Sequence, residues 1–280
     1  MALRSRYLQK FYNSEICKFR AYLKGLPAEP SPHGVHELRL WLKRLWADFC
    51  LLEWVTHGRF NAGDQFSHYQ PLFKKAGRMR ELQQGRKMAA NAGLRRGVVN
   101  RYIEFGAAKR RKYRHSVSKE IHRLGKMSMD AKELNKTALH TKMKREEFAC
   151  KLATLIESSL RRILKLNALR RDNSNVHKLR KALKILHRAM KLYMKLTRVQ
   201  SMYENIKQLK KAEKQLGDWH DSIVLKRSLH HFLHDVNLTP DVAASVKNVI
   251  KRLEMKNTLL LKATRSEIKI LFDKREGLVS

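Results

Sequence analysis

The sequence is poor in the two residues that most often interrupt regular structure. It has five prolines in 280 residues, with none between Pro71 and Pro240, and no glycine between Gly125 and Gly217. A protein built from many short strands needs turn residues at regular intervals, so this scarcity excludes a mainly β fold. Apolar residues recur instead at spacings of three and four, as at Leu152, Leu155 and Ile156. We therefore predict an all-α protein.

Cysteines and long apolar runs are also scarce. The three cysteines, Cys17, Cys50 and Cys150, lie far apart and form no CxxC pair, which predicts a reducing compartment and no disulfide framework. No window resembles a secretory signal or a membrane span of about 18 apolar residues. The expected location is the cytoplasm. The run KRRK at 109–112 leaves a nuclear location open in a eukaryotic host.

Motifs that carry catalysis are missing as well. The sequence contains no GxxxxGK[ST], GxSxG, HExxH or EF-hand loop, and paired carboxylates are rare. His230 and His234 stand one helical turn apart, but no third ligand is found at a matching spacing. We predict a protein that is not an enzyme and holds no metal and no cofactor.

Negative charge is the most notable deficit. The chain has 25 acidic residues against 61 lysines and arginines, for a net charge of +36. Self-repulsion of this size opposes a compact state, and a bound polyanion would relieve it. Composition thus favours a polyanionic partner but leaves four classes open: nucleic acid, polyphosphate, an anionic membrane surface and an acidic protein.

An internal repeat organises the chain. The segment 35–43 aligns with 176–184, and 74–81 (KKAGRMRE) aligns with 214–221 (KQLGDWHD) at nearly the same offset. We interpret this as a tandem duplication of a four-helix unit. The predicted units are 1–125 and 144–280, joined by a connector at 126–143. The predicted helices are 4–24, 34–56, 65–91, 95–124, 144–170, 174–197, 201–235 and 240–273.

Basic residues form stripes on the repeated helices. Rows of like charge destabilise an isolated helix, so we interpret them as an anion site rather than as a solvated basic face, which is the alternative for each stripe taken singly. The candidate anion-binding residues are His36, Arg39, Lys43, Arg44, Lys74, Arg78, His177, Arg180, Lys184, Arg188, Lys191, Lys207, Lys210 and Lys214.

Two histidines head these stripes, His36 and His177. Neighbouring Arg and Lys should favour neutral imidazole, whereas a bound phosphate should favour the charged form. Binding is therefore expected to tighten as the pH falls from about 8 to about 6. The alternative is that both rings serve only in packing.

The repeated pattern HxxRxxxK, each copy followed by a second basic helix, resembles the conserved histidine α-helical domain, or CHAD. The resemblance rests on 36–45 (HELRLWLKRL), 177–186 (HKLRKALKIL), 76–81 (AGRMRE) and 216–221 (LGDWHD). It implies two tandem four-helix bundles related by pseudo-twofold symmetry, whose basic faces meet at a central cleft that binds inorganic polyphosphate. Polyphosphate offers only charge and phosphate oxygens, which suit Arg and Lys. A helical nucleic-acid-binding protein that uses the same basic surface is the alternative. The oligomeric state is not predicted.

Overall fold

The computed structural model describes residues 7–27, 29–126, 143–169 and 172–273. These residues form helices and contain no strand, which confirms the all-α prediction. Within the described ranges there are ten helices: α1 Tyr7–Lys24, α2 Pro32–Val55, α3 Ala62–Ser67, α4 Gln70–Asn91, α5 Arg96–Phe105, α6 Ala107–Lys126, α7 Arg145–Ala168, α8 Asn173–Thr197, α9 Tyr203–Asp235 and α10 Pro240–Asp273.

The predicted helix map is wrong at two places in the first half. The helix predicted at 65–91 is divided into α3 and α4, because Pro71 stands in the first turn of α4 and favours a helix start. The helix predicted at 95–124 is divided into α5 and α6 at Gly106, which follows the last residue of α5. The predicted connector at 126–143 lies almost wholly outside the described residues, so the predicted domain boundaries stay a prediction.

Helix contacts follow the order of the chain in each half. Helix α1 contacts α2 and α6, and α4 also contacts α2 and α6, so the contacts among these four helices form a closed ring. Helices α7, α8, α9 and α10 contact in the same cyclic order. The halves meet where α2 contacts α7 and α8 and where α4 contacts α9. The pseudo-twofold relation between the halves stays a prediction.

Apolar faces at helical spacing form the cores. The α8 face with Leu179, Leu183, Leu186 and Met190 is buried, because these residues recur every three or four positions. The same apolar cluster includes buried residues of both halves, among them Leu42 of α2. A smaller cluster joins α5 to α9 and α10. The two halves therefore share their cores, which fixes α2 and α4 against α8 and α9.

Among the described residues, the structure shows no helix with the length and apolar character needed to cross a membrane. It likewise shows no group of three or more His, Cys, Asp or Glu side chains placed to hold a metal ion in the part of the chain that it describes.

Candidate anion-binding site

The two repeated helices begin in the same way. Ser31 precedes α2 and its side chain accepts a hydrogen bond from the Gly34 amide at 3.1 Å. Asp172 precedes α8 and accepts from the Asn175 amide at 2.7 Å. Such N-caps satisfy amides that have no partner within the helix and fix where the helix starts. As a result, the two stripe histidines occupy the same position, the fifth residue of each helix.

A cavity of about 190 Å³ lies between α2, α4, α8 and α9; we call it the central pocket. Its lining includes His36, Arg39 and Lys43 from α2, Arg80 and Glu81 from α4, Arg180 from α8, and His220 and Asp221 from α9. Several of these are equivalent in the sequence repeat: Arg39 with Arg180, Arg80 with His220, and Glu81 with Asp221. Residues about 140 positions apart thus line one cavity.

Basic side chains are concentrated beside the central pocket. Burial, with further contributions from Lys184 and Arg39, lowers the pKa of Lys43 to about 6. Burial also lowers the pKa of Lys184 to about 8, helped by Arg180. None of Arg39, Lys43, Arg180 and Lys184 forms an ion pair with another described residue, and the buried Nε of Arg180 has no hydrogen-bond partner there. We call these four residues the cation cluster.

Three carboxylates, Glu81, Asp221 and Glu213, act on this cluster from a distance, and none of them forms an ion pair with its members. Burial lowers the pKa of Arg39 and is the largest influence on it. Arg180 and Arg80 lower this pKa further, whereas Glu81 and Asp221 raise it. Desolvated like charges at close range are unfavourable. The free protein therefore holds a positive potential in a partly buried place, which an anion would lower.

A glycine positions the Arg39 guanidinium. The side chain lies across α4 at Gly77, where an added Cβ would collide with Nη1 of Arg39, and its guanidinium carbon is 5.5 Å from the centre of the Phe73 ring. Gly217 is the equivalent of Gly77 in the repeat, and nothing would lie within 4 Å of a Cβ there. The two halves therefore hold their arginines differently.

The two stripe histidines also differ in their surroundings. His36 lines the central pocket, whereas the ring of His177 packs 5.3 Å from Trp219 and 5.5 Å from His220, measured between ring centres. Burial lowers the pKa of both, aided by Arg80 at His36 and by His220 at His177. This agrees with the sequence-based expectation that neighbouring cations favour neutral imidazole.

Two predicted site residues are engaged elsewhere. Arg188 binds Asp48 of α2 through both carboxylate oxygens, at 2.5 and 3.0 Å, and Glu15 of α1 at 3.3 Å. Arg44 pairs with the same Glu15 at 2.6 Å and lies over the Trp41 ring. Arg188 thus joins α8 to the first half, Arg44 joins α2 to α1 within that half, and neither lines the central pocket. Their predicted role as anion ligands is replaced in our proposal by a structural one.

The remaining predicted residues fall outside the central pocket. Arg78 lines an adjoining cavity and pairs with Glu81 at 3.4 Å. The exposed predicted lysines, none of which lines the central pocket, are Lys74, Lys191, Lys207, Lys210 and Lys214. Conversely, Arg80 and His220 line the pocket but were not predicted as ligands. Their matched positions in KKAGRMRE and KQLGDWHD were the signal that could have found them.

The comparisons with known proteins agree with this architecture. The family model described as CHAD domain matches residues 78–230, just over half of the chain. The chain belongs to the CHAD family. The crystal structure of the CHAD domain from the plant Ricinus communis is similar to this CHAD chain with a TM-score of 0.66 at 16% identity, covering 96% of this chain and 92% of that chain. At that identity the likeness shows the fold alone. No curated protein matches the sequence.

Proposed function

We propose that this CHAD chain binds inorganic polyphosphate at the central pocket and does not hydrolyse it. The observation that carries the proposal is the cation cluster: four partly buried basic side chains from both halves converge, and none of them has an ion-pair partner among the described residues. Arginine and lysine bind phosphate oxygens with charge-assisted hydrogen bonds, which are about twice as strong as neutral ones. A phosphate chain would supply the missing partners.

The convergence of repeat-equivalent residues supports the finer architecture that we propose. Arg39 of α2 and its repeat equivalent Arg180 of α8 both line the central pocket. Glu81 of α4 and its equivalent Asp221 of α9 line it as well. Two bundles related by a pseudo-twofold axis through the pocket would produce this arrangement. A polyphosphate chain presents similar phosphate groups in both directions from any phosphorus atom. It would therefore suit a basic central cleft whose two sides are related by such an axis.

Among the described residues, no cluster of carboxylates that could hold a metal ion lies at the central pocket, which favours binding over hydrolysis. Mg²⁺ in phosphoryl-transfer sites is usually held by carboxylates, and the carboxylates of the central pocket, Glu81 and Asp221, stand among cations. We expect no phosphate release when the protein is incubated with Mg²⁺ and polyphosphate. We also propose a cytoplasmic location, in association with polyphosphate granules.

A competition assay tests the choice of polymer. Labelled long-chain polyphosphate is bound at about 150 mM salt and challenged with duplex DNA or RNA at matched phosphate concentration. We expect unlabelled polyphosphate to displace the label and nucleic acid to displace it poorly, because the pocket is narrow and lies between four helices. Ready displacement by DNA would support a nucleic-acid-binding protein instead. Salt dependence alone cannot separate the two, since both anions release counterions.

Variants of the cation cluster test the site. Charged hydrogen bonds contribute about 1.5–3 kcal/mol, so Arg39→Met and Arg180→Met should each weaken polyphosphate binding by roughly tenfold or more. Arg162→Met is the matched control, because Arg162 is exposed on α7 and lies outside the central pocket. Equal losses in all three variants would show that the basic surface binds as a whole and would contradict the proposed site.

A further inference from the structure

A second cavity adjoins the central pocket. It has a volume of about 260 Å³ and lies between α4, α5, α6 and α9; we call it the side chamber. Glu81, Gly85 and Val224 line both cavities, so the two meet along that wall. None of the residues that line only the side chamber is needed for the proposed polyphosphate site. The side chamber therefore calls for its own explanation.

The side chamber differs from the central pocket in the character of its walls. The central pocket is lined mainly by charged and polar side chains. The side chamber is lined by six apolar side chains, of which it shares only Val224 with the central pocket: Tyr102, Phe105, Tyr113, Leu82, Val224 and Leu225. Four of the six remain partly exposed, namely Phe105, Tyr113, Leu82 and Val224. Apolar surface that lines a cavity and stays uncovered is typical of a ligand site.

Cations surround this apolar surface. Arg78, Lys109, Arg110 and Arg227 all line the side chamber, where Glu81 is the acidic residue of the lining. Burial, together with Arg86, lowers the pKa of Arg110, whose Nη2 donates to the Ile103 carbonyl oxygen at 2.8 Å. Cations also lie over aromatic rings here, as Lys109 Nζ does 5.0 Å from the Phe105 ring centre. An anionic ligand with an apolar or aromatic part would match both features.

A bare phosphate chain does not use these apolar walls. It has no carbon surface, and its oxygens gain nothing from Leu82 or Tyr113. A planar heterocycle does, because bases stack on aromatic rings and on arginine planes with little dependence on which base is present. The two cavities together fall within the roughly 300–1,000 Å³ that is usual for small-molecule sites.

We propose that the paired cavities bind a nucleoside 5′-polyphosphate, with its phosphates in the central pocket and its base in the side chamber. This inference rests on the proposed function, because it uses the same cation cluster for the phosphates. It names a second ligand class for the site, one that inorganic polyphosphate would displace. At the shared wall Gly85 lets the Tyr102 side chain pack closely against α4, since an added Cβ there would lie 2.9 Å from the Tyr102 hydroxyl oxygen.

The test compares ligands of equal phosphate charge on the intact chain. Calorimetric titrations use adenosine 5′-triphosphate and monomethyl triphosphate, without divalent metal ions. The nucleotide should bind about tenfold or more tighter than monomethyl triphosphate, which has the same phosphates and no ring, because base stacking contributes a factor of that order. Equal affinities for these two ligands would overturn the inference. Long-chain polyphosphate should compete with the nucleotide.

Variants separate the side chamber from the central pocket. Tyr113→Ala removes a stacking surface, and Leu82→Trp fills the side chamber. Both variants should bring the affinity for the nucleotide close to that for monomethyl triphosphate. The affinity for monomethyl triphosphate itself should stay within about twofold of that of the unaltered chain. Tyr203→Ala is the matched control, since Tyr203 is 64% exposed and lines neither cavity. A preference that survives Leu82→Trp, in protein whose helical content is unchanged, would contradict the proposed placement of the base.

The two proposals fail in different ways. If long-chain polyphosphate binds and depends on Arg39 and Arg180, but the nucleotide gains nothing over monomethyl triphosphate, only the side-chamber inference is wrong. If polyphosphate does not bind at all, the proposed function itself is wrong. Binding of the nucleotide that Arg39→Met leaves unchanged would contradict the shared use of the cation cluster.

Discussion

Binding of polyphosphate should be coupled to uptake of a proton by Lys43. In the free protein burial and its cationic neighbours lower the pKa of Lys43 to about 6, so the amine is mainly neutral at pH 7.5. Phosphates in the central pocket would favour the ammonium form and raise that pKa. Lys184, whose pKa is about 8 in the free protein, should add a smaller uptake above about pH 7.5.

The sign and size of the effect follow from linkage. A group that gains a proton on binding strengthens binding as the pH falls, by about tenfold per pH unit for one proton. For Lys43 this holds from the pKa in the complex down to about 6, below which the free amine is already charged. If the pKa in the complex exceeds 8, affinity should rise roughly 25- to 50-fold between pH 8 and pH 6, since about half of the free amine is already charged at pH 6.

Calorimetry in two buffers of different ionisation enthalpy measures the proton uptake directly. Long-chain polyphosphate is the ligand, because its few terminal groups contribute little titration of their own. We expect uptake of about one proton per site at pH 7.5. Lys43→Arg should flatten the pH dependence, since the guanidinium stays charged throughout this range.

The two stripe histidines are the main competing source of a pH effect. Their pKa values are lowered in the free protein, so they would add uptake mainly at the acid end of the range. That contribution should persist in Lys43→Arg and disappear in His36→Ala or His177→Ala. An affinity that is flat from pH 8 to 6, or a slope that Lys43→Arg leaves unchanged, would refute the reasoning.

Two further predictions concern the framework that holds the cluster. Arg188→Met should destabilise the fold by about 3–5 kcal/mol in urea unfolding, because it leaves the carboxylate of Asp48, which is 1% exposed, without its main partner. Adding Asp48→Leu to this variant should restore much of the lost stability. If Arg188→Met alone is as stable as the unaltered chain, the structural role of Arg188 is contradicted. Gly77→Ala should displace the Arg39 guanidinium and weaken polyphosphate binding about tenfold, whereas Gly217→Ala, with open space at its Cβ, should leave binding unchanged. Equal affinities of the two alanine variants would show that Gly77 does not position Arg39.

The helical divisions show how far local patterns reach. The segments predicted as helices at 65–91 and 95–124 are helical, but each consists of two helices instead of one. Pro71 fits the first turn of a helix better than its interior, so a break before it was available in the sequence. Gly106 is a weaker signal, because glycine costs only about 1 kcal/mol inside a helix and is often tolerated there. Packing of α5 against α9 and α10 through the smaller core accompanies that break.

The sequence by itself determined the helical class, the family and the residues that head the site. Periodicity, the scarcity of turn residues and a repeat at nearly constant offset are local or pairwise features of the chain, so they can be read before any contact is known. His36, Arg39 and Lys43 with Arg180 were predicted from the stripes, and the structure places them around one pocket. Whether they bind polyphosphate stays a prediction.

Only the tertiary structure decided which cations on a stripe remain free for a ligand. Lys184 and Arg188 are one turn apart on the same face of α8, so periodicity could not separate them. Arg188 meets Asp48, which stands 140 positions earlier in the chain, whereas Lys184 acts on the charge of Lys43 and has no ion-pair partner among the described residues. The spacing of residues along a helix determines which of them share a face. Which residues of other helices that face contacts depends on how distant parts of the chain pack.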